Sequence, residues 1–269
     1  MPSHSTNFLQ NNSNLTYLFT VEKAGTFWYQ VFNRMHNSIV QYGPLVVFDP
    51  TERSTFYSLG SSYGVEDSLW ILFFGDWFDS KTNQQSIEIN YQPIPDAFTV
   101  NNQFRNKMVI EIDPLGDPIR VRVINTGEYS PVRISVDGLP LQLIELDSTQ
   151  VQPVNLQFIY LNAAQRCSFV LDFSPLSSNL ANSSSLYIRF SVPENTFPTY
   201  NNSIPNNNLY GTVSGNIFDL EWTGTIKFTG RNYPIGYTEP PSLNFLSPAP
   251  DVNILVARAL RPRTVRVPS

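Results

Sequence analysis

The sequence predicts an all-β fold, a Greek-key β-sandwich, on three observations. First, residues 119–123 and 132–136 alternate apolar and polar side chains, as half-buried strands do. Second, runs of β-branched and aromatic residues predict further strands near 15–21, 25–32, 45–48, 69–74 and 169–173. Third, turn sequences such as Asp49-Pro50 and Asp137-Gly138 separate these runs. No long amphipathic helix is predicted.

Composition excludes several functional classes. The chain has 269 residues, of which 41% are hydrophobic and 14% charged, so it can bury a core and is not of the disordered type. A formal net charge of −5 argues against a general binder of nucleic acid or of membrane surfaces. No apolar run approaches the roughly 20 residues of a membrane helix, and the first residues lack the features of a signal peptide.

The common catalytic motifs are absent from the sequence. There is no phosphate loop, no HExxH, no CxxC and no Gly-x-Ser-x-Gly. Carboxylates do cluster, in two groups: Glu111, Asp113 and Asp117 in one, Glu145 and Asp147 in the other. In β-rich segments flanked by turns, such groups are expected to be solvated edges and not acid–base pairs.

The single cysteine, Cys167, excludes an intrachain disulfide and is predicted to be a small buried apolar residue. A nucleophilic thiol would need a histidine base. Neither His4 nor His36 lies in a motif that places it beside Cys167.

Five short segments, in a fixed order, resemble the laccase-type multicopper oxidases, the family of laccases, ferroxidases and ascorbate oxidases. They are Gly25-Thr26-Phe27-Trp28-Tyr29 with Gly43-Pro44-Leu45, Asp76-Trp77-Phe78, the run 120–126 with Ser135-Val136-Asp137-Gly138, Ala164-Gln165-Arg166-Cys167, and Tyr187-Ile188-Arg189. The resemblance implies structural roles for ten residues: Trp28, Gly43, Pro44, Asp76, Trp77, Asn125, Asp137, Gln165, Arg166 and Arg189. In particular, Asp76-Trp77-Phe78 is expected to form a structural corner with the Trp in the core.

The resemblance also implies a division into cupredoxin domains. Residues 1–50 are expected to be the last part of a first domain, 51–64 a linker, 65–235 a complete second domain, and 236–269 a Pro-rich tail or linker. On this reading the family's remaining cupredoxin parts are missing from the sequence. Sheet edges in residues 1–50 would then be exposed, so we expect as partner either those missing domains or another chain.

Copper is the family's cofactor, and here its ligand positions differ. The family's Trp-Tyr-His-Ser-His reads Trp28-Tyr29-Gln30-Val31-Phe32 in this chain. Copper at such sites needs imidazole or thiolate ligands. Because Gln30 offers only an amide and Phe32 offers nothing, we expect no copper in this chain, no catalytic residue and no oxidation by the chain alone.

Three hypotheses follow. The chain is a laccase-like homologue, truncated and inactive by itself; or it is part of a working copper oxidase of phenols or Fe(II), completed by other domains; or it is a glycosylated β-sandwich interaction module. The resemblance implies an extracellular location, although no signal peptide is present. N-glycosylation sequons that bear on the third hypothesis occur at Asn11, Asn14, Asn182 and Asn201.

Overall fold

A computed structural model describes residues 17–30, 42–66, 70–78, 95, 97–104, 108–113, 116–174, 185–193 and 221–228. It confirms the all-β prediction. The elements are β1 (Gly25–Gln30), β2 (Tyr42–Val47), α1 (Glu52–Ser58), β3 (Ile71–Trp77), β4 (Ala97–Val100), β5 (Val109–Ile112), β6 (Ile119–Asn125), β7 (Val132–Val136), β8 (Leu141–Leu146), β9 (Thr149–Leu156), β10 (Ile159–Leu161), β11 (Arg166–Leu171), β12 (Ser185–Ser191) and β13 (Glu221–Phe228).

Two sheets form a sandwich. One has six strands in the order β4-β3-β6-β11-β8-β9, and the other has five in the order β10-β7-β12-β13-β5. Most neighbouring strands are antiparallel, but β3 pairs parallel to β6 and β13 parallel to β5. The non-consecutive orders reflect long connections between strands, as the predicted cupredoxin-like Greek-key sandwich requires.

The apolar core lies between the two sheets, where alternate residues of each strand point inward. Phe74 of β3 stacks on Phe98 and on Phe190, with ring centroids 5.4 and 5.9 Å apart. Phe190 in turn meets Trp222 edge to face at 5.5 Å. This aromatic column lies within the buried core and ties the six-stranded sheet to the five-stranded one.

A third, two-stranded sheet lies outside the sandwich. β1 and β2 pair antiparallel, from Gly25 opposite Val47 to Gln30 opposite Tyr42. The strand predicted over 15–21 is not confirmed in its described part, because residues 17–21 are unpaired there and Leu18 is 99% exposed.

The segment expected to be a linker, 51–64, contains helix α1 and packs onto the sandwich. Glu52 and Phe56 lie one turn apart on the same face of α1, and both are buried. Phe56 and Tyr63 form a second small core with Ile144 and Val170 of the six-stranded sheet. Burial of this helix face holds the segment in place. No helix in the described part of the chain is long and apolar enough to cross a membrane.

Candidate functional site

The expected metal-ligand position lies at the exposed end of the two-stranded sheet. Gln30 is the last residue of β1, pairs with Tyr42 and is exposed to solvent. Tyr42 packs its ring on Phe73 of β3, with centroids 5.4 Å apart, and its hydroxyl donates to Asn102 Oδ1 at 2.9 Å. The end of the hairpin is therefore fixed by an aromatic contact and a neutral hydrogen bond.

The described residues at this end of the hairpin do not fit copper. Gln30 and Asn102 carry amides, and Tyr29 and Tyr42 carry phenols. None of these supplies the imidazole or thiolate that a copper centre needs. In the part of the chain that the structure describes, no group of three or more His, Cys, Asp or Glu side chains is arranged to hold a metal ion. Phe32, His4 and His36 lie outside the described residues.

The other end of β1 meets a buried ionic cluster on the outer face of the six-stranded sheet. The cluster comprises Arg120 and Arg122 of β6, Glu145 of β8, Ser168 of β11, and Glu52, Tyr63 and Glu66 from the segment 51–66. A half-buried β6 would place its arginines in solvent, but both are almost fully buried. They lie beneath α1 and the β1–β2 hairpin.

Glu145 is the centre of this cluster. Its Oε2 accepts hydrogen bonds from Arg120 and, at 3.2 Å, from Arg122. Ser168 Oγ donates to the same oxygen at 2.9 Å. The expectation that Glu145 belongs to a solvated edge is therefore wrong, because two guanidinium groups offset the cost of burying its charge.

Two further glutamates join the segment 51–66 to the same arginines. Glu52 Oε2 lies 2.7 Å from Arg120 Nη1, and the two oxygens of Glu66 lie 2.6 and 2.9 Å from Nε and Nη2 of Arg122. The second pair is bidentate, a geometry that fixes the orientation of the carboxylate as well as its position. Tyr63 Oη also lies 3.0 Å from Arg120 Nη1.

The electrostatics of the cluster follow from burial and charge. Burial alone would raise the pKa of Glu145, but Arg120 and Arg122 outweigh it, and the pKa is lowered. Burial would lower the pKa of Arg120, yet Glu145 and Glu52 raise it further above its ordinary value. Burial raises the pKa of Tyr63 to about 12. Glu145 and Arg120 are thus ionised at neutral pH, while the Tyr63 phenol is neutral.

Thr26 of β1 is bound by the sandwich through four side chains. Its backbone N–H donates to Glu145 Oε1 at 2.8 Å, and its carbonyl accepts from Ser148 Oγ at 2.6 Å and Arg166 Nε at 3.1 Å. Arg122 Nη1 donates to Thr26 Oγ1 at 2.6 Å. Thr26 is completely buried. We call Arg122, Glu145, Ser148 and Arg166 the Thr26 site.

The family-motif residue Asp76 lies within β3, opposite Phe98, and its side chain binds the loop 128–130. Its Oδ2 accepts backbone N–H groups of Glu128, Tyr129 and Ser130 at 2.9, 2.9 and 3.3 Å. Burial raises the pKa of Asp76 in spite of these hydrogen bonds. Asn125 supports the same loop, because its amide donates to the carbonyl of Ser130 at 2.8 Å.

The neighbouring Trp77 is not a core residue. It is 39% exposed and meets Phe104 edge to face at 5.4 Å, whereas Phe78 is buried. Successive strand residues alternate between faces, and Phe74 already faces the core, so Trp77 lies on the outer face of β3.

The remaining motif residues hold loops and strands. Arg189 bridges Asp137 and Glu221 on the five-stranded sheet, with N–O distances of 2.8 and 2.6 Å. Gln165 Oε1 accepts the N–H of Asn162 at 2.8 Å. In the hairpin, Trp28 lies opposite Pro44, and Gly43 lies under Tyr29, whose Oη would be 2.3 Å from any Cβ at that position.

The remaining expectations concern the single cysteine, the carboxylates near 111–117 and the glycosylation sequons. Cys167 is completely buried in the core, and burial raises its thiol pKa well above the ordinary value, as expected of an inert apolar residue. Glu111, Asp113 and Asp117 are exposed, as expected of a solvated edge. The sequons at Asn11, Asn14, Asn182 and Asn201 lie outside the described residues.

Sequence reasoning missed the ionic cluster and Thr26. Arg120 and Arg122 share one face of β6, which is the one available signal, but an alternating strand usually turns that face to water. The covering glutamates Glu52 and Glu66 lie in a segment without strand character, so their place depends on the tertiary fold.

Comparison with known proteins agrees with this architecture. The sequence model of the family described as multicopper oxidase matches residues 68–203, just over half of the chain. An iron transport multicopper oxidase, fetC of Epichloe festucae, is 30% identical over 59% of this chain and 25% of its own length. Laccase-2 of Fomitopsis schrenkii is 33% identical over 64% of this chain and 31% of its own length. The chain thus spans about a quarter to a third of these relatives.

Solved structures show the same fold. Fet3p, described as a multicopper oxidase that functions in iron import, superposes with a TM-score of 0.58 at 16% identity, covering 84% of this chain and 38% of that one. The laccase of Botrytis aclada gives 0.56 at 18% identity, covering 83% and 39%. With the family match over residues 68–203 and a β-sandwich of this topology, the chain belongs to the multicopper oxidase family.

Proposed function

We propose that this chain is a laccase- or ferroxidase-like homologue in which Gln30 and Phe32 no longer bind copper. It carries out no oxidation by itself and acts as a structural or binding unit built on the cupredoxin fold. The observation that supports the proposal is the chemistry around Gln30: the exposed end of the hairpin offers amides and phenols where copper needs imidazole.

The experiment is copper reconstitution of the purified chain. Bound copper is measured by inductively coupled plasma mass spectrometry, and oxygen uptake is followed with a phenol and with Fe(II). We expect no stoichiometric copper and no oxygen uptake. Stoichiometric copper together with turnover would overturn the proposal.

A gain-of-binding variant tests the two positions directly. The sequence predicts a strand over 25–32, and the double substitution Gln30→His and Phe32→His would put two imidazoles on one face of that predicted strand. We expect it to bind more Cu(II) than the matched variant Tyr29→His with Val31→His, whose imidazoles would face the other side of the same predicted strand. Equal binding by the two variants would contradict the assignment of Gln30 and Phe32 as former ligand positions.

A second candidate is that the chain is one part of a working oxidase, with the remaining cupredoxin domains as its partner. Two observations favour it. The described residues form a sandwich of a six-stranded and a five-stranded sheet, and the chain spans only 25% and 31% of the length of the two curated relatives. Here the test is to purify the protein from its native source. Copper and oxygen consumption that co-purify with this chain in one complex would support the second candidate over the first.

An extracellular location is part of the proposal and follows from the resemblance alone. It predicts glycans at the sequons Asn182 and Asn201. Treatment of the native protein with an N-glycosidase, followed by mass spectrometry, measures them directly. Occupied sequons would place the chain in the secretory pathway and would also favour the interaction-module hypothesis.

A further inference from the structure

The β1–β2 hairpin is attached to the sandwich in an unusual way. It shares no main-chain ladder with either sheet in the described part of the chain, since β1 and β2 pair only with each other. A two-stranded sheet is marginal by itself in water. The contacts that hold it on the six-stranded sheet must therefore come from side chains.

We propose that the sandwich carries a binding site for an extended Gly-Thr dipeptide, and that the hairpin is a docked ligand of this site. Glu145 accepts the N–H of Thr26, while Ser148 and Arg166 donate to its carbonyl. These are the two backbone groups that a neighbouring strand would pair. Three side chains thus take the place of a third strand along β1.

The site is selective for both residues of the dipeptide. At the second position, Arg122 donates to the hydroxyl of Thr26, so a side chain without an acceptor would leave a buried guanidinium N–H unpaired. At the first position, Gly25 has φ of +140°, and a Cβ there would lie 2.6 Å from Ser148 Cβ. Both geometry and space exclude any residue but glycine.

The site is organised by contacts within the sandwich. Glu145 is held by Arg120 and by Ser168, and Arg166 is held by Asp147, whose Oδ1 accepts the Arg166 backbone N–H at 3.0 Å and lies 3.1 Å from Nη1. The ligand meets side chains already oriented for it, which lowers the entropy cost of docking.

This arrangement makes a specific prediction for Thr26→Val in the full chain. When the hairpin undocks, water can solvate Arg122. Local opening therefore removes the cost of the unpaired Arg122 N–H, and global unfolding is not required. We expect amide hydrogen exchange of β1 and β2 to accelerate by about tenfold or more, with β6 and β11 unchanged. Thr26→Ser keeps the hydroxyl and is expected to exchange at nearly the rate of the unmodified chain.

A second variant, Ser148→Ala, keeps the test valid if Thr26→Val fails to fold. Ser148→Ala removes one donor to the Thr26 carbonyl and leaves Arg122 paired, so we expect the same local pattern with a smaller acceleration. The proposal is wrong if both Thr26→Val and Ser148→Ala accelerate exchange uniformly across the sandwich, or if neither changes the hairpin. Uniform acceleration would mean that Thr26 is part of one cooperative core.

Discussion

The two ends of β1 differ in almost every physical respect. At its start, Thr26 is completely buried and every polar group it presents to the sandwich is bonded. At its end, four residues later, Gln30 is exposed and lies opposite Tyr42. The start of β1 attaches the hairpin through a demanding set of buried contacts, whereas its end makes no comparable set in the described residues. The buried contacts that attach the hairpin are therefore concentrated at one end of this strand.

The largest expected effect is at the buried end. Glu145→Gln removes the charge that faces Arg120 and Arg122, and breaking a buried ion pair from one side costs about 3–5 kcal/mol. Urea unfolding measures the change. The matched control is Glu111→Gln, which breaks an exposed pair with Lys227 and is expected to cost less than about 1 kcal/mol. Equal losses would mean that burial does not distinguish the two pairs.

The pH dependence of the free energy of unfolding should distinguish Glu145 from Asp76. The pKa of Glu145 is lowered from 4.5 in the fold, so its stabilisation is present above pH 4.5 and is lost as pH falls through the lowered value. The pKa of Asp76 is raised from 3.8, so its ionisation lowers the free energy of unfolding as pH rises above 3.8.

We therefore expect two variants to change the pH dependence of the free energy of unfolding in opposite directions. The measurement is the urea midpoint of each variant across the acidic range. Glu145→Gln should lose the part of the decline that comes from acidification below pH 4.5. Asp76→Asn should lose the small decrease in the free energy of unfolding that accompanies rising pH above 3.8. The substitution also weakens the hydrogen bonds that Asp76 accepts from backbone N–H groups, which lowers stability at every pH. The same sign in both variants would contradict the assigned pKa directions.

A smaller effect is expected where the hairpin end meets β3. Tyr42→Phe keeps the ring contact with Phe73 and removes the hydrogen bond to Asn102. The expected cost is about 0.5–1.5 kcal/mol, the usual net contribution of one hydrogen bond. Thermal unfolding is a sufficient measurement. A loss as large as that of Glu145→Gln would show that this end is also a primary attachment.

The smallest effect is expected at Gln30 itself. Because its side chain is exposed, Gln30→Ala should change the free energy of unfolding by no more than about 0.5 kcal/mol. The measurement is again a urea transition, with Glu145→Gln as the comparison from the other end of β1. A loss of several kcal/mol would reveal a structural role for Gln30 and would remove the contrast between the two ends.

Much of the fold could be predicted from the sequence, because strand periodicity and turn residues are local signals. The alternation over 119–123 and the Asp137-Gly138 turn both correspond to observed elements. The expectation that Trp77 lies in the core is wrong, because it rests on the general tendency of tryptophan beside an apolar strand to be buried.

The ionic cluster could not be predicted, because its members are far apart in the chain. Glu52 and Arg120 are separated by 68 positions, and Thr26 and Arg166 by 140. Nothing local in the sequence distinguishes an arginine that faces water from one covered by a helix. The position of α1 decides that question, and it is set by the burial of Phe56 against Ile144 and Val170.

The solitary thiol of Cys167 has a practical consequence for kinetics. It is completely buried on β11, with Val123 and Leu146 as its strand neighbours, and a reagent reaches it only after the sandwich opens. Since the chain has one cysteine, the rate of modification by a thiol reagent reports the opening of the sandwich at that one site. Hairpin release and sandwich opening can thus be timed separately in the same unlabelled protein.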